Sequence, residues 1–537
     1  MINVFDNFTQ QTQDIITHVN WAFEAHYDFI STESGLSEFT KPSCDLMLDL
    51  FNVFTKHVRK VWHRQALTKV HCSTSQYCNE VDDSGQLKYP DPRTGLPINF
   101  NFLPTYADDG LGVMPHTVQV YGFQDPSANS YGNENFTYMS EYMNYEASLN
   151  KRYVLYYGET GYWVNVDIDV PLFLPLSGQR RLSDLRYTAR KEHAGKFKIS
   201  GQMNFESGWE FGFYISNAIT ARAAWNPLID IDDDWDAYAL ALKDLLHPFG
   251  DYTDRFVTLI INLSKSQSNI MIYSIVNDKP SVNLQKLSGH AYMSGSDTWA
   301  DLERMLGVSI TQPDKIHLQE TNDPDWKYIM PLLKEMESIF QNHSKLFNEI
   351  VQDASSQQAN VILSSQLLKY LQEIAWCVDI LARRASHNVM LYTAQDPSTS
   401  YENRMSLLRR GRVYLTETES IMHRLVDTFR VPADRISAWR PGPTVYPFGY
   451  VWAARTLYYF WRDQGIVEAK TTMAAYSPCY LNREEPIELS LGWMKVVEQM
   501  IRLKMKKDAK NDTTSATSLL ADCLAPPLRE FKFPRDL

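Results

Sequence analysis

Four short segments with the composition of β-strands follow one another between residues 67 and 206, and each ends in polar residues. They are Leu67–Cys72, Val113–Tyr121, Tyr153–Glu159 and Ile199–Glu206. The last three are separated by segments that can hold a helix, one at Phe136–Ser148 and one that contains Arg180–Arg190. Strands that alternate with helices in this way are typical of a parallel sheet or barrel.

The chain on either side of these strands is patterned for helices. In the first sixty residues, apolar side chains from Leu46 to Val58 lie near helical spacing. After about residue 235 the strands stop, and four apolar helix faces follow. These faces run over Phe256–Ile270, Ile329–Phe340, Leu367–Leu381 and Leu408–Met422. Asp396-Pro397 and the turn Arg440–Pro443 punctuate this half, which predicts an antiparallel helical bundle.

The predicted fold class is therefore α/β followed by all-α, a (β/α) barrel ahead of an antiparallel helical bundle. We assign residues 1–235 to the barrel-like domain, 236–470 to the helical domain and 471–537 to a C-terminal extension. A complete barrel has eight strands and takes about 250 residues. With four strands in the pattern, either several strands escape it or the chain carries only part of a barrel.

Charge and hydropathy limit the partners of the chain. Its 52 basic and 64 acidic side chains give a net charge of −12, which disfavours nucleic acid and anionic membranes as partners. No run reaches the roughly 18 apolar residues of a membrane helix, and the N-terminus lacks the features of a signal peptide. Sequons at Asn7, Asn135, Asn262, Asn342 and Asn511 favour a secretory route with the leader absent from this chain; a cytoplasmic location stays open.

The sequence predicts neither a metal nor a cofactor. Cys72 and Cys78 are close together, and a small loop disulfide and two unpaired thiols are both open, but no Cys/His pair follows at zinc spacing. The acidic run 230–236 lacks the glycine and the terminal glutamate of a calcium loop, so a solvated helix start is favoured. Glycine-rich nucleotide motifs, H-E-x-x-H and G-x-S-x-G do not occur in a suitable context.

The richest candidate stretch is Tyr153–Leu176. An apolar strand there runs into Gly158-Glu159-Thr160-Gly161, and Tyr162 and Trp163 follow. Barrel enzymes place catalytic groups at the C-terminal ends of parallel strands. Glu159 is therefore a candidate catalytic carboxylate, with Tyr162 and Trp163 as substrate-binding rings. The alternative is a solvated loop residue or a helix-end charge.

A second candidate stretch, residues 201–227, repeats this arrangement. Its strand ends at Glu206, the second candidate catalytic carboxylate. Asn204 and Trp209 supply the amide and the stacking ring of a sugar-contacting set. Glu210 is a further candidate for substrate binding, although it could simply complement the dipole of a helix that begins there.

The segment Val113–Asp125 supplies the third group of candidates. His116 precedes the predicted strand, while Gln119 and Tyr121 share one of its faces, and we expect these three residues to bind substrate. Lys69 and His71 end the preceding strand and are further candidates for ligand contact. The polar and aromatic cluster between His18 and Asp28 is a weaker candidate for a subsite.

Two carboxylates at the ends of neighbouring strands suit the hydrolysis of a glycosidic bond. One protonates the leaving oxygen, and the other attacks the anomeric carbon or activates water. The two groups stand about 5 Å apart in retaining enzymes and about 6.5–9.5 Å apart in inverting ones. Asp167 and Asp169 are rival partners, although strand alternation places both on what could be only a polar face.

The stretches YGETGYWVNVDIDVPLFLPL and FESGWEFGFY, with MPHTVQVYGF before them, resemble glycoside-hydrolase-like proteins that have a TIM-type domain followed by a helical domain. The resemblance covers the first half of the chain by motif and the second half by architecture. It implies an oligosaccharide or polysaccharide ligand and catalysis by Glu159 and Glu206. The low strand count departs from that pattern.

Two rival functions stay open beside glycoside hydrolysis. A polysaccharide lyase would use Tyr and His, with Arg or Asn neutralising a uronate. A non-catalytic glycan-binding or structural protein would use a decayed barrel. Fold-level resemblance alone does not separate these functions.

Overall fold

The structure is a computed structural model of the chain. The described residues are 8–33, 42–73, 76–118, 120–127, 133–161, 172–205, 210–276, 293, 326–356, 363–429, 463–464, 467–468 and 471. The candidates Gln119, Tyr162, Trp163, Glu206 and Trp209 lie outside these ranges, as do Asp167 and Asp169.

Helices and short strands alternate in the first part of the chain. In chain order the elements are α1 Phe8–Glu24, β1 Phe29–Glu33, α2 Cys44–Lys60, β2 Gln65–Val70, β3 Leu111–Pro115, α3 Thr137–Leu149, β4 Leu155–Glu159, α4 Leu176–His193, β5 Gly201–Phe205 and α5 Glu210–Trp225. A 3₁₀ helix at Phe100–Tyr106 lies in the long connection from β2 to β3. Each of the four predicted strand segments overlaps one of the strands β2 to β5, and the segments Tyr153–Glu159 and Ile199–Glu206 contain β4 and β5 completely. The presence of these four strands is therefore confirmed, while β2 and β3 begin and end earlier than predicted.

The described strands are all parallel, and neighbouring strands follow chain order. One sheet has the order β1-β2-β3 and another consists of β4 and β5. Parallel bridges from Val113 to Val154 and from His116 to Tyr157 join β3 to the segment of β4. Sequential parallel strands with helical crossovers are the order found in a singly wound sheet or barrel; the contacts among the described residues include no closure of a barrel.

The sheet curves towards one of its faces. Nζ of Lys69 on β2 lies 5.9 Å from the ring centre of Phe205 on β5, although β3 and β4 lie between them. In a flat sheet three strand spacings separate such residues by about 14 Å. The ring of His116, which follows β3, also lies 5.7 Å from the ring of Phe205. The face that carries Lys69 and Phe205 is therefore concave.

One expectation about the N-terminal region was wrong. The first sixty residues were expected to be helical, but β1 lies between α1 and α2 and pairs with β2 from Phe29 to Glu33. Its sequence FISTE is short, and its burial alternates between exposed and half-buried residues. Such an edge strand has no apolar run of its own and forms because a partner strand offers its hydrogen-bonding edge.

The cysteine pairing also differs from the expectation. Cys44 and Cys78 form a disulfide with 34 residues of sequence separation, whereas Cys72 is a buried thiol. Cys44 is the first residue of α2, whose N-cap Ser43 accepts a hydrogen bond from the N–H of Leu46. The bond therefore ties α2 to the long β2–β3 connection, a contact between segments that their sequence spacing does not reveal.

The second part of the chain is mostly helical in its described residues. Its elements are α6 Asp234–Leu246, a 3₁₀ helix His247–Tyr252, α7 Thr253–Gln267, a π-helical turn Ser268–Ile272, α8 Trp326–Ser355, α9 Ser365–Gln395 and α10 Tyr401–Phe429. All four predicted apolar faces lie on these helices, and Asp396-Pro397 separates α9 from α10. The side chain of Asp379 on α9 accepts from Ser344 and Asn348 on α8, while Gln341 donates to Ser386. Residue numbers that rise on one helix as they fall on the other indicate antiparallel packing.

Two units with their own cores can be distinguished. The α/β unit takes its described residues from Met1–Thr160, Ser177–Phe205 and Ser216–Tyr238, and the helical unit takes them from Gly161–Leu176, Glu206–Ile215 and Ala239–Leu537. The domain limits expected from the sequence remain a prediction. Within the described residues, no helix combines the length and the apolar character that crossing a membrane requires.

Candidate functional site

Polar side chains gather on the concave face at the C-terminal edge of the parallel strands. Side chains alternate between the two faces of a strand, so Tyr157 and Glu159 on β4 share one face. The register pairs Glu159 with Phe205, and Lys69 and His116 reach the same face through their contacts with Phe205. The strands thus bring Lys69, His116, Tyr157, Glu159 and Phe205 to one edge of the sheet.

Lys69 and Glu33 form an ion pair at one end of this group. Nζ of Lys69 lies 3.0 Å from a carboxylate oxygen of Glu33, the register partner of Lys69 on β1. The side chain of Lys69 is 16% exposed and that of Glu33 is 45% exposed. The mostly buried ammonium group is thus balanced by a carboxylate that remains open to water.

Two histidines stand beside the lysine with their ring orientations fixed. Nδ1 of His71 accepts a hydrogen bond of 3.1 Å from the N–H of Ser73, so the proton of its neutral ring is on Nε2. Nδ1 of His116 lies 3.3 Å from the carbonyl oxygen of Tyr157 and must donate to it. The ring centres lie 5.7 Å apart. Nε2 is therefore a donor in His71 and an acceptor in His116.

His116 is held in its neutral form. Burial lowers the pKa of His116 well below the ordinary value, and the positive charge of Lys69, the neighbouring His71 and the charge of Arg181 act in the same direction. The hydrogen bond to the carbonyl oxygen of Tyr157 opposes the shift. A neutral ring that carries its lone pair on Nε2 can accept a proton or a hydrogen bond from a ligand hydroxyl.

Tyr157 lies between the histidine and the carboxylates. Its ring centre is 5.1 Å from that of His116 and 6.1 Å from that of Phe205. Burial raises the pKa of Tyr157, Glu159 and Glu33 raise it further, and Lys69 lowers it. The phenol therefore keeps its proton at neutral pH and can donate a hydrogen bond.

Glu159 is the last residue of β4 and is almost completely buried, with 2% of its surface exposed. Its N–H donates to Oγ1 of Thr117 at 3.2 Å, and its carbonyl oxygen accepts from Nη1 of Arg181 at 3.1 Å. Both contacts lock the backbone at the strand end. The residue that carries the carboxylate thus has a fixed place at the edge of the sheet.

The structure does not bring every predicted residue to this face. Asn204 pairs in register with Gly158 and has the opposite parity to Phe205; on its face Gln202 donates to the carbonyl oxygen of Thr220 on α5. The amide of Asn204 is therefore on the helix-facing side of β5 and not beside Glu159. Glu206, two residues further along the chain, lies outside the described residues.

Two more candidates have structural surroundings. The carbonyl oxygen of Tyr121 accepts from Arg181, and its ring centre lies 6.2 Å from that of Phe136, just before α3. Glu210 is the first residue of α5, and its side chain lies outside the described part. Their roles in substrate binding remain predictions.

The weaker candidate cluster near the N-terminus is partly structural. Oδ1 of Asn20 on α1 accepts from Nε1 of Trp62 at 2.8 Å and contacts Nε2 of His57 at 2.7 Å. These bonds join α1 to the end of α2. Trp21 is 70% exposed.

Metal binding has no support within the described residues. The single group of potential ligands found there is Cys44, Cys78 and Glu80, and its two sulfur atoms are joined in the disulfide. The acidic run 230–236 begins α6: Oδ1 of Asp233 accepts from the N–H groups of Trp235 and Asp236. This is an N-terminal cap.

Sequence reasoning identified Glu159, His116, Lys69 and His71 but missed other parts of the group. Tyr157 precedes Glu159 by two residues on the same strand, and strand alternation alone places both on one face. Glu33 could not be found without β1, whose pairing with β2 depends on distant residues. Arg181 stood inside a predicted helix with nothing in its local sequence to indicate what it binds.

Comparison with known proteins adds little. No protein-family model and no curated protein matches the chain. Among the solved structures that match is a GH138 enzyme targeting pectin rhamnogalacturonan II, with a TM-score of 0.39 and 10% sequence identity over 86% of this chain and 52% of the other. The chain thus spans about half the length of that enzyme, and a TM-score this low carries no argument about fold or function.

Proposed function

We propose that the chain is a carbohydrate-active enzyme that hydrolyses a glycosidic bond at the C-terminal edge of its parallel strands, on a barrel that is partial or complete. The observation that carries the proposal is the position of Glu159. This buried carboxylate ends a strand on the concave face that also carries Tyr157, neutral His116 and Lys69. Barrel enzymes position their reactive groups in such a place.

The second carboxylate in this proposal is Glu206. It follows Phe205, which is the register partner of Glu159, so the two glutamates come from the ends of adjacent strands. One would donate its proton to the leaving oxygen while the other supplies electrons to the anomeric carbon or to a water molecule. Phe205, with Tyr162, Trp163 and Trp209, would form the apolar wall against which a sugar ring stacks.

Conversion of either glutamate to glutamine tests the proposal. Glu159→Gln and Glu206→Gln are expected to lower kcat by about 10²–10⁴-fold on a glycan that the wild type cleaves, because a neutral amide neither donates a proton nor attacks. Release of reducing ends from a panel of plant, fungal and bacterial glycans is the measurement. Full activity in both variants would overturn the assignment.

Glu146→Gln is the matched control. Glu146 on α3 is also completely buried, accepts from Oγ1 of Thr105 at 2.6 Å and pairs with Arg152 at 3.3 Å. It has no contact with the concave face. The control is expected to lose stability and to keep its kcat, which separates loss of catalysis from loss of a buried carboxylate.

One observation favours a second candidate, a polysaccharide lyase. His116, Tyr157 and Lys69 stand together, and elimination beside a uronate needs a base and a positive charge near the sugar carboxylate. Lyase products absorb ultraviolet light because they contain a new double bond. If such products accumulate and no water is taken up, the chain is a lyase and the proposal of hydrolysis is wrong.

A further inference from the structure

Arg181 on α4 is completely buried directly behind the end of β4. Burying a guanidinium is costly unless its donors find acceptors. Nη1 donates to the carbonyl oxygen of Glu159 and to Oγ1 of Thr117, and Nη2 donates to the carbonyl oxygen of Tyr121. One side chain thus binds the end of β4 and the connection that follows β3.

Strand β4 has a glycine, Gly158, at the point where the side chain of Arg181 passes it. A Cβ atom on Gly158 would lie 2.9 Å from Cδ of Arg181 and 2.8 Å from Cε1 of Tyr156. Both distances are shorter than such atoms tolerate. Glycine immediately before Glu159 therefore leaves room for the guanidinium on the face opposite to the carboxylate.

The charge of Arg181 is balanced locally. Asp184, one turn along α4, lies 3.5 Å from Nη2 and accepts a hydrogen bond of 2.8 Å from the hydroxyl of Tyr156. Burial lowers the pKa of Arg181, but Tyr156, Asp184, Glu159 and Asp125 together raise it above its ordinary value. Asp125 itself pairs with Arg180 at 2.6 Å. Because an electrostatic interaction is mutual, the guanidinium favours the ionised form of Glu159.

We propose that Arg181 is the positioning residue of Glu159: it holds the strand end in place and makes Glu159 the ionised carboxylate of the catalytic pair. The inference rests on the proposed function and assigns the two roles. The electron pair that bonds to the anomeric carbon, or that removes a proton from attacking water, comes from Glu159. The bond to the leaving oxygen breaks as that oxygen takes its proton from the second carboxyl group of the proposed pair.

Arg181→Met and Arg181→Lys separate charge from geometry. In Arg181→Met the acidic limb of the pH profile of kcat/KM is expected to move up by about one unit, because the electrostatic support of the carboxylate is lost. Arg181→Lys retains the charge but cannot reach three acceptors, so kcat is expected to fall by about tenfold or more while the limb stays near its wild-type position.

Arg186→Met is the matched control on the same helix. Arg186 is equally buried, pairs with Asp234 at 2.6 Å and donates to the carbonyl oxygens of Leu228 and Ile231. Its loss should destabilise the fold to a similar degree without moving the acidic limb. An acidic limb that is the same in Arg181→Met as in wild type and control would reduce Arg181 to a structural role and overturn the proposal.

A titration that needs no activity distinguishes failure of this inference from failure of the proposed function. The ¹³C signal of the Glu159 carboxyl group, identified by its loss in Glu159→Gln, can be followed with pH in wild type and in both Arg181 variants. Protonation of Glu159 at higher pH in Arg181→Met supports the inference even if no glycan is cleaved. An unchanged titration overturns it even if Glu159 proves catalytic. If Arg181→Met does not fold, equal kcat in Arg181→Lys and wild type overturns it.

Discussion

Buried arginine side chains bind different partners in the two units. In the α/β unit, Arg152, Arg181 and Arg186 donate to main-chain carbonyl oxygens of the irregular connections around the strands. In the helical unit, buried Arg384 donates to the side chain of Asp463 and contacts Nδ1 of His387. Helices satisfy their own carbonyl groups, whereas loops packed against strand ends need donors from elsewhere. In the described part of the α/β unit, these three arginine side chains therefore hold main-chain segments in place.

Removal of a loop-holding arginine should have the largest effect on stability. Arg152 donates to the carbonyl oxygens of Pro104, Leu111 and Ala107 and pairs with Glu146. Arg152→Met is expected to cost about 3–5 kcal/mol, because it leaves a buried carboxylate and several carbonyl groups without their donor. Chemical denaturation measures the difference. A decrease in the free energy of unfolding below about 1 kcal/mol, which is usual for exposed sites, would contradict the claim that Arg152 holds the connection in place.

The disulfide should stabilise only the unit that has long connections. Cys44–Cys78 closes a loop with 34 residues of separation in the α/β unit, whereas Cys377 on α9 is a buried thiol. The pair of substitutions Cys44→Ser and Cys78→Ser is expected to cost about 2–4 kcal/mol. Hydrogen exchange should show faster opening of β1 to β3 and an unchanged α8–α10. Equal acceleration in both units would contradict this.

A fall in pH should change the contributions of two buried groups, one in each unit, to the stability in opposite directions. Burial raises the pKa of Asp184 to about 6, so its contribution to stability is complete below about pH 4 and is lost as the pH rises through about 6. Burial lowers the pKa of His343 on α8 to about 4, so its contribution is present above about pH 6.5 and is lost as the pH falls through about 4. Each difference is worth up to about 3 kcal/mol.

Asp184→Asn and His343→Gln test these signs. Between pH 4 and 6, the stability of Asp184→Asn relative to wild type should rise with pH, and that of His343→Gln should fall. Urea denaturation across this range provides the measurement. Parallel curves for the two variants would show that the buried groups do not titrate as described.

An exposed arginine should have the smallest effect. Arg255 on α7 pairs with Asp353 on α8, and their side chains are 42% and 58% exposed. Arg255→Met is expected to cost less than about 1 kcal/mol, because water and salt screen such a pair. A cost close to that of Arg152→Met would show that carbonyl acceptors are not what sets the buried arginines apart.

Much of the fold could be predicted because its signals are local. Strands β2 to β5 lie in or overlap short segments with the composition of β-strands, and helices α7 to α10 each repeat apolar residues with the helical period. Strand β1 could not be found, because FISTE becomes a strand only beside β2. The partner of Cys78 is likewise set by the position of α2, whereas sequence spacing left a disulfide with Cys72 and two unpaired thiols both open.

The location of a site residue could be predicted where it depends on position along one strand. It could not be predicted where it depends on the register between two strands. Glu159 follows an apolar run and is at the strand end, as expected. Asn204 was grouped with the carboxylates, yet the pairing of β4 with β5 turns it to the other face. Arg181 escaped notice because its partners, two carbonyl groups and a hydroxyl, are supplied by segments up to 64 residues away.

The most direct test of the central claim is a crystal structure of Glu159→Gln with an uncleaved glycan. The account predicts a sugar ring across the concave face, stacked on Phe205, with its anomeric carbon about 3–3.5 Å from the side chain at position 159. A glycan bound elsewhere, or at this face with its glycosidic bond far from position 159, would contradict the claim that Glu159 is catalytic.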